Sequence, residues 1–263
     1  MFNVTLWDCE IPYYKEEADT PNAMTFYPAK AEGQQPCVVV MPGGGYNGRA
    51  AHEGEPIARF FHSVGMHAAV LHYRVNPNRF PAALADAQRA IRLIRANAKE
   101  WGVDPSKIVT CGFSAGGHLC ASSILYEDVY RDAIKTDTID ELPHLPNGAI
   151  LCYPVISFSP EHGHVKSGYR LLGEEHYEAE YRKFDLTQYV TEQTPPVFLW
   201  HTSEDAGVSV KNSLRFAEKL RDCHIPFELH VFPKGPHGIG LAEAYPDASK
   251  WPTLAADWIR RTI

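Results

Sequence analysis

Short apolar runs alternate along the chain with longer stretches whose apolar positions step by three or four residues. The runs A-M-T-F-Y at 23–27, C-V-V-V-M at 37–41, H-A-A-V-L-H-Y at 67–73, K-I-V-T-C-G-F at 107–113, G-A-I-L-C-Y at 148–153, V-F-L-W-H at 197–201 and F-E-L-H-V-F at 227–232 predict strands. Several are apolar almost without interruption, the pattern of parallel strands covered on both faces. Pro81 can start a helix carrying Leu84, Ala87, Ile91, Ile94 and Ala98 on one face. Further helices are predicted at 51–64, 115–126, 209–222 and 247–261. Leu119 and Ile124 turn inward in the helix at 115–126, as do Leu254, Trp258 and Ile259 in the last one. Strand–helix alternation of this kind predicts an α/β fold, a mostly parallel central sheet with helices on both faces. Segment 155–195 breaks the rhythm. It is rich in Tyr, Glu, His and Ser with weak periodicity, and is either a plain excursion between core strands or a partial lid over a site.

Composition narrows the class. The chain has 263 residues, 44% hydrophobic and 22% charged, enough for a large core in one α/β domain spanning 1–263. No apolar stretch approaches the roughly 18 residues of a membrane span, so no membrane partner is expected. Lys and Arg number 25 and Asp and Glu 32, a formal charge of −7. No basic run offers a phosphate-binding face, which argues against nucleic acid. The N-terminus lacks the basic and apolar regions of a signal peptide, so a cytoplasmic setting is expected. Cys9, Cys37, Cys111, Cys120, Cys152 and Cys223 are scattered without a C-x-x-C pair, the pattern of reduced, mostly buried thiols. No metal site is expected either. His162 and His164 in H-G-H lack a third ligand nearby. Oligomeric state is not encoded in any of these patterns.

The candidate chemistry centres on G-F-S-A-G at 112–116, between a β-branched strand and a helical pattern. A serine at a tight strand-to-helix turn needs small neighbours on both sides, and the turn thrusts its hydroxyl beyond the sheet. Ser114 is therefore the candidate nucleophile. A serine hydroxyl needs a base, and the base needs an orienting acid. Of the 13 histidines, His237 lies in the loop K-G-P-H-G-I-G directly after a late strand. His118 lies within the helix after the elbow, and His201 and His230 lie on predicted strands. The acid is Asp205, just past the strand at 197–201, with Glu204 as the rival. The order Ser114, Asp205, His237 is that of α/β-hydrolases. P-G-G-G-Y-N at 42–47 follows another strand, and its glycines allow close backbone approach to a ligand. Gly43 and Gly44, with the N–H of Ala115, are the candidate oxyanion donors, and Gly45 is an alternate. No Lys-Ser/Thr follows, so this is not a phosphate loop.

These motifs resemble the α/β-hydrolase superfamily and, within it, acetylxylan esterase-like carbohydrate esterases related to the hormone-sensitive-lipase branch. The resemblance rests on P-G-G-G-Y at 42–46, L-H-Y-R at 71–74, the helix with Pro81, Asp86 and Ala90 and its R-A-I-R-L-I-R, G-F-S-A-G-G-H-L at 112–119, P-P-V-F-L-W-H-T at 195–202 and F-P-K-G-P-H-G at 232–238. Pro42 stands where the hormone-sensitive-lipase relatives carry His. The resemblance implies a serine esterase that removes short acyl groups from xylan-derived or related oligosaccharides through an acyl-serine, without metal or cofactor. Its expected partner is a small acylated sugar. Tyr46, Asn47 and Tyr73 are candidate wall residues, and His164 and Tyr169 candidate sugar contacts. The same triad also serves a general short-chain carboxylesterase, an aryl-formamidase or a small peptidase, and the scaffold also hosts non-catalytic binding proteins.

Overall fold

The protein is described by a computed structural model covering residues 1–8, 10–15, 21–131 and 137–263. Cys9 lies outside the described residues. Eight strands form one open sheet: β1 (Phe2–Thr5), β2 (Ala23–Tyr27), β3 (Gln35–Met41), β4 (His67–His72), β5 (Val103–Phe113), β6 (Gly148–Cys152), β7 (Val197–Thr202) and β8 (Phe227–Phe232). Their spatial order is β1-β2-β4-β3-β5-β6-β7-β8. β1–β2 and β2–β4 pair antiparallel, and every later pair is parallel. The α/β architecture is the expected one. β1 was not predicted, because it is a short edge strand with mostly exposed side chains and no apolar run.

The helices are α1 (Glu55–Ser63), α2 (Ala82–Ala96), α3 (Ala98–Trp101), α4 (Ala115–Leu125), α5 (Val165–Leu172), α6 (Glu174–Glu180), α7 (Lys211–Asp222) and α8 (Trp251–Thr262). Alternation along β3 separates two cores. Val38 and Val40 pack with Ile57 and Phe61 of α1 and Trp258 and Ile259 of α8. Val39 and Met41 share the other core with Leu84 and Ile91 of α2, Leu119 of α4 and Phe216 of α7. Each face of the sheet is thereby covered, and each core strand reads as a continuous apolar run.

α2 is buried nearly all round, and its buried arginines, Arg89 and Arg92, are paired rather than solvated. Arg89 reaches Asp137 and Asp140, and Arg92 meets Asp128. Arg74, just past β4, grips Asp86 of α2, with Nη2 2.8 Å from Oδ1 and both side chains almost fully buried. Buried charges persist only when paired and hydrogen-bonded, and here both conditions hold. The L-H-Y-R and Asp86 motif positions are therefore the two halves of one ion pair.

Segment 155–195 is more ordered than its weak periodicity suggests. It contains α5, α6 and two 3₁₀ turns at Tyr181–Phe184 and Leu186–Tyr189. Leu171, Leu172, Tyr177, Phe184, Leu186 and Val190 join the α2–α4–α7 core. Among the described residues, no helix is long and apolar enough to cross a membrane.

Candidate functional site

β5 ends at Phe113 and α4 begins at Ala115, so Ser114 carries the whole reversal with φ 54° and ψ −117°. A non-glycine residue held at positive φ is strained by about 1–3 kcal/mol and persists only where its surroundings enforce it. They do so here. The Ser114 N–H donates to Cys152 O, and Ser114 O accepts from Val155 N and His118 N. Gly112 and Gly116 cannot be replaced without collision. A Cβ on Gly112 would lie 2.1 Å from Gly116 O, and one on Gly116 would lie 2.2 Å from Met41 O.

The three predicted residues meet. Ser114 Oγ lies 2.7 Å from His237 Nε2, and His237 Nδ1 lies 2.7 Å from Asp205 Oδ2. Because the carboxylate only accepts, Nδ1 carries the proton and Nε2 is left to accept from the serine. Asp205 Oδ1 also accepts the N–H groups of Gly207 and Val208, each at 2.8 Å. His201 Nε2 lies 3.2 Å from Oδ2 and donates to Val208 O at 2.9 Å. Burial pushes the Asp205 carboxyl up, but its hydrogen bonds to His201 and His237 outweigh this and hold it well below the usual carboxylate range. The rival Glu204 is exposed and paired with Lys234 at 2.5 Å, away from the relay.

The glycine loop after β3 runs against Ser114. A Cβ on Gly43 would lie 3.0 Å from Ser114 Cβ. The expectation for Gly43 as a donor needs correction, because its N–H is held by Glu53 Oε2 at 2.8 Å. Gly44, Gly45 and Tyr46 follow with φ of 132°, 62° and 57°. Among the described residues, no hydrogen bond engages the N–H groups of Gly44, Gly45 or Ala115. The open donors are therefore Gly44, the alternate Gly45 and Ala115.

Glu53 was not foreseen. It is 2% exposed, and its Oε1 accepts the Tyr153 hydroxyl at 2.7 Å. Tyr153 in turn accepts the Gly240 N–H at 2.9 Å, and its ring stands edge-on to the His237 imidazole, 5.1 Å between centroids. One buried carboxylate thus links the donor loop to the histidine loop. Its only trace in the sequence is an acidic residue ten positions past Gly43.

The candidate wall residues divide. Tyr46 and Tyr73 are buried, so the expectation that they line the site is corrected. Tyr73 donates to Pro42 O, and the Tyr46 hydroxyl lies 2.9 Å from His118 Nδ1. Both hydroxyls brace the donor loop from beneath. Asn47 is exposed and, with Tyr169, lines a cavity of about 560 Å³. His164 bonds the Ser167 hydroxyl at 2.7 Å. Burial first, then the charges of His237, Arg170 and Lys166, hold its imidazole below the ordinary value. Among the described residues, no group of three or more His, Cys, Asp or Glu side chains could hold a metal ion.

Comparison with known proteins finds esterase and hydrolase relatives. The BD-FAE family model matches residues 25–220. The chain is 37% identical over 246 residues to endo-1,4-beta-xylanase B of Butyrivibrio fibrisolvens, covering 92% of this chain and 38% of that protein. It is 30% identical over 224 residues to an acetylxylan esterase of Xylanibacter ruminicola, covering 82% of this chain and 43% of that protein. The chain thus spans less than half the length of these two relatives. Among solved structures, an acetyl ester-xyloside bifunctional hydrolase from Caldicellulosiruptor lactoaceticus superposes with a TM-score of 0.92 at 39% identity, covering 98% of this chain and 95% of that one.

Proposed function

The chain belongs to the BD-FAE family of the α/β-hydrolase superfamily, and from that premise we propose that it is a serine esterase deacylating xylan-derived or related oligosaccharides. The observation that carries the reading is the unbroken relay from Ser114 through His237 to Asp205, two hydrogen bonds of 2.7 Å. Named relatives include an acetylxylan esterase and an acetyl ester-xyloside hydrolase, which points to short acyl esters of xylose-based sugars.

In this mechanism Ser114 Oγ attacks the acyl carbonyl carbon while its proton passes to His237 Nε2. The new imidazolium is stabilised by Asp205, whose carboxylate stays ionised. Gly44 and Ala115 donate to the oxyanion, with Gly45 as a further donor. The C–O bond to the sugar then breaks as His237 returns the proton to the leaving hydroxyl. Water, deprotonated by the same imidazole, attacks the acyl-serine and releases the acid. Segment 155–195 acts as a fixed cap on the leaving-group side, because much of it is rooted in the core. A cytoplasmic setting belongs to the same proposal. The five described cysteines are free thiols, and four of them are buried.

The test is acetate release by purified protein from acetylated xylo-oligosaccharides, beside simple alkyl acetates and a Ser114→Ala control. Higher kcat/KM on the sugars supports the proposal. Equal efficiency on both classes turns it into a general carboxylesterase, and acetate release that survives in the control removes Ser114 from the chemistry.

A further inference from the structure

The cavity of about 560 Å³ beside the donor loop has an unusual charge for this chain. The protein is acidic overall, at −7, yet three cations face this one space: Arg79, Lys166 and Arg170. Two carboxylates, Glu174 and Glu175, share the lining. Among the described residues, Arg79 hydrogen-bonds only neutral oxygens, Asn76 Oδ1 and Arg170 O. Arg170 Nη1 lies 3.5 Å from Gly45 O. Lys166 is exposed and, among the described residues, has neither hydrogen bond nor ion pair. Glu175 turns back on its own chain. Its own backbone N–H first, then His176, Arg79 and Lys15, holds its carboxyl below the ordinary value. Among the described residues, none of the three cations has a carboxylate within ion-pairing distance, and three cations against two carboxylates leave the described lining positive.

The cavity belongs to the catalytic face although Ser114, Asp205 and His237 do not line it. Asn47 stands on the donor loop, and Arg170 touches that loop at Gly45. Ser167, one turn before Arg170 on α5, bonds His164, whose imidazole senses both His237 and the cations of the cavity. A sugar whose acyl group sits at Ser114 and whose remaining rings follow the loop outward over Gly45 and Asn47 reaches this space. The volume falls within the range of small-ligand sites.

We propose that this cavity is a leaving-group subsite for an anionic substituent, so that the preferred substrates are acylated oligosaccharides bearing a carboxylate, as on a uronic-acid unit. This rests on the esterase reading above and specifies its substrate class. Lys166 and Arg79 supply the charge. Arg170 adds a third cation and is fixed against the donor loop.

The test compares kcat/KM for two acetylated xylo-oligosaccharides of equal length, one with and one without a uronic-acid branch, at low ionic strength and in about 0.5 M NaCl. Partly exposed charge pairs of this kind imply about a five- to tenfold preference for the acidic substrate at low salt, shrinking toward parity at high salt. Lys166→Gln should cut the acidic-to-neutral ratio by about threefold or more. Turnover of the neutral substrate that equals or exceeds that of the acidic one overturns the subsite and leaves the esterase reading standing. So does a preference that survives both salt and Lys166→Gln, because it then arises elsewhere. Turnover of neither sugar overturns both proposals together.

Discussion

Glu53 and Tyr153 meet through a 2.7 Å hydrogen bond in the interior, one hundred residues apart in sequence. The carboxylate's other oxygen holds the Gly43 N–H, and the tyrosine hydroxyl receives the Gly240 N–H. The pair therefore sets the distance between the loop that would bind the oxyanion and the loop that carries His237. Glu53→Ala leaves two buried donors, Gly43 N–H and Tyr153 O–H, without an acceptor, each at about 1–3 kcal/mol. Stability should fall by about 2–6 kcal/mol in urea titration, and kcat by about tenfold or more through a misplaced donor loop. Tyr153→Phe keeps the Gly43 contact and should be milder on both measures. A kcat for Glu53→Ala within twofold of the parent would show that the loop holds its shape unaided.

Ser114→Ala separates chemistry from folding. The change deletes one oxygen from a nearly buried side chain and leaves the elbow's backbone bonds intact. Turnover should fall by about 10³-fold or more, and folding free energy should shift by about 1 kcal/mol at most. Loss of labelling by a fluorophosphonate probe, with an unchanged urea midpoint, is the expected pair of results. A large fall in midpoint would mean that the serine is mainly structural.

The acid can be tested against its rival. In Asp205→Asn, the amide oxygen can still accept from Gly207 and Val208, but the amide nitrogen then faces His237 Nδ1. A donor there favours the imidazole tautomer with its proton on Nε2, which cannot accept from Ser114. By analogy with other triads, kcat should drop by about 10³- to 10⁴-fold with KM little altered. Glu204→Gln breaks only an exposed pair with Lys234 and should leave kcat within about twofold. Inverted results would reassign the acid. Asp205 also has a folded-state pKa below its unfolded value. Its stabilisation is present above the usual carboxylate range and is lost as pH falls through the depressed value.

The sheet and the relay were legible because their constraints are local. Core strands covered on both faces must be continuous apolar runs, and a serine elbow needs glycine on both sides within five residues. Loop positions just past late strands pointed to Asp205 and His237, and the resulting chain order agreed with that of α/β-hydrolases. What stayed hidden depends on contacts across the fold. The pattern around P-G-G-G-Y cannot say which N–H is already taken, and Glu53 takes that of Gly43. Nor can it say that the hydroxyls of Tyr46 and Tyr73 point into the protein. α6 was invisible because E-E-H-Y-E-A-E has a single buried side chain, Tyr177. Nor does the helix pattern show that Arg89 and Arg92 of α2 are paired, because their carboxylate partners lie some 36 to 51 positions away.

His118 links acid stability to the same centre. It sits one turn into α4, 1% exposed, stacked on Phe158 at 4.5 Å with the Tyr46 hydroxyl at Nδ1. Burial pushes its pKa down to about 3, below the ordinary 6.5. As pH falls below 6.5 the unfolded chain takes up this proton and the folded one does not. The stabilisation is therefore complete above 6.5 and is lost progressively between 6.5 and about 3. At pH 5 the loss is about 2 kcal/mol, from roughly 1.4 kcal/mol per unit of separation. In His118→Asn the amide oxygen can still accept from Tyr46, but nothing titrates. Between pH 7 and pH 5 this variant should lose about 2 kcal/mol less stability than the parent in urea titration, the remaining loss coming from the other partly buried histidines. Parallel losses of stability in parent and variant would place the acid-labile group elsewhere.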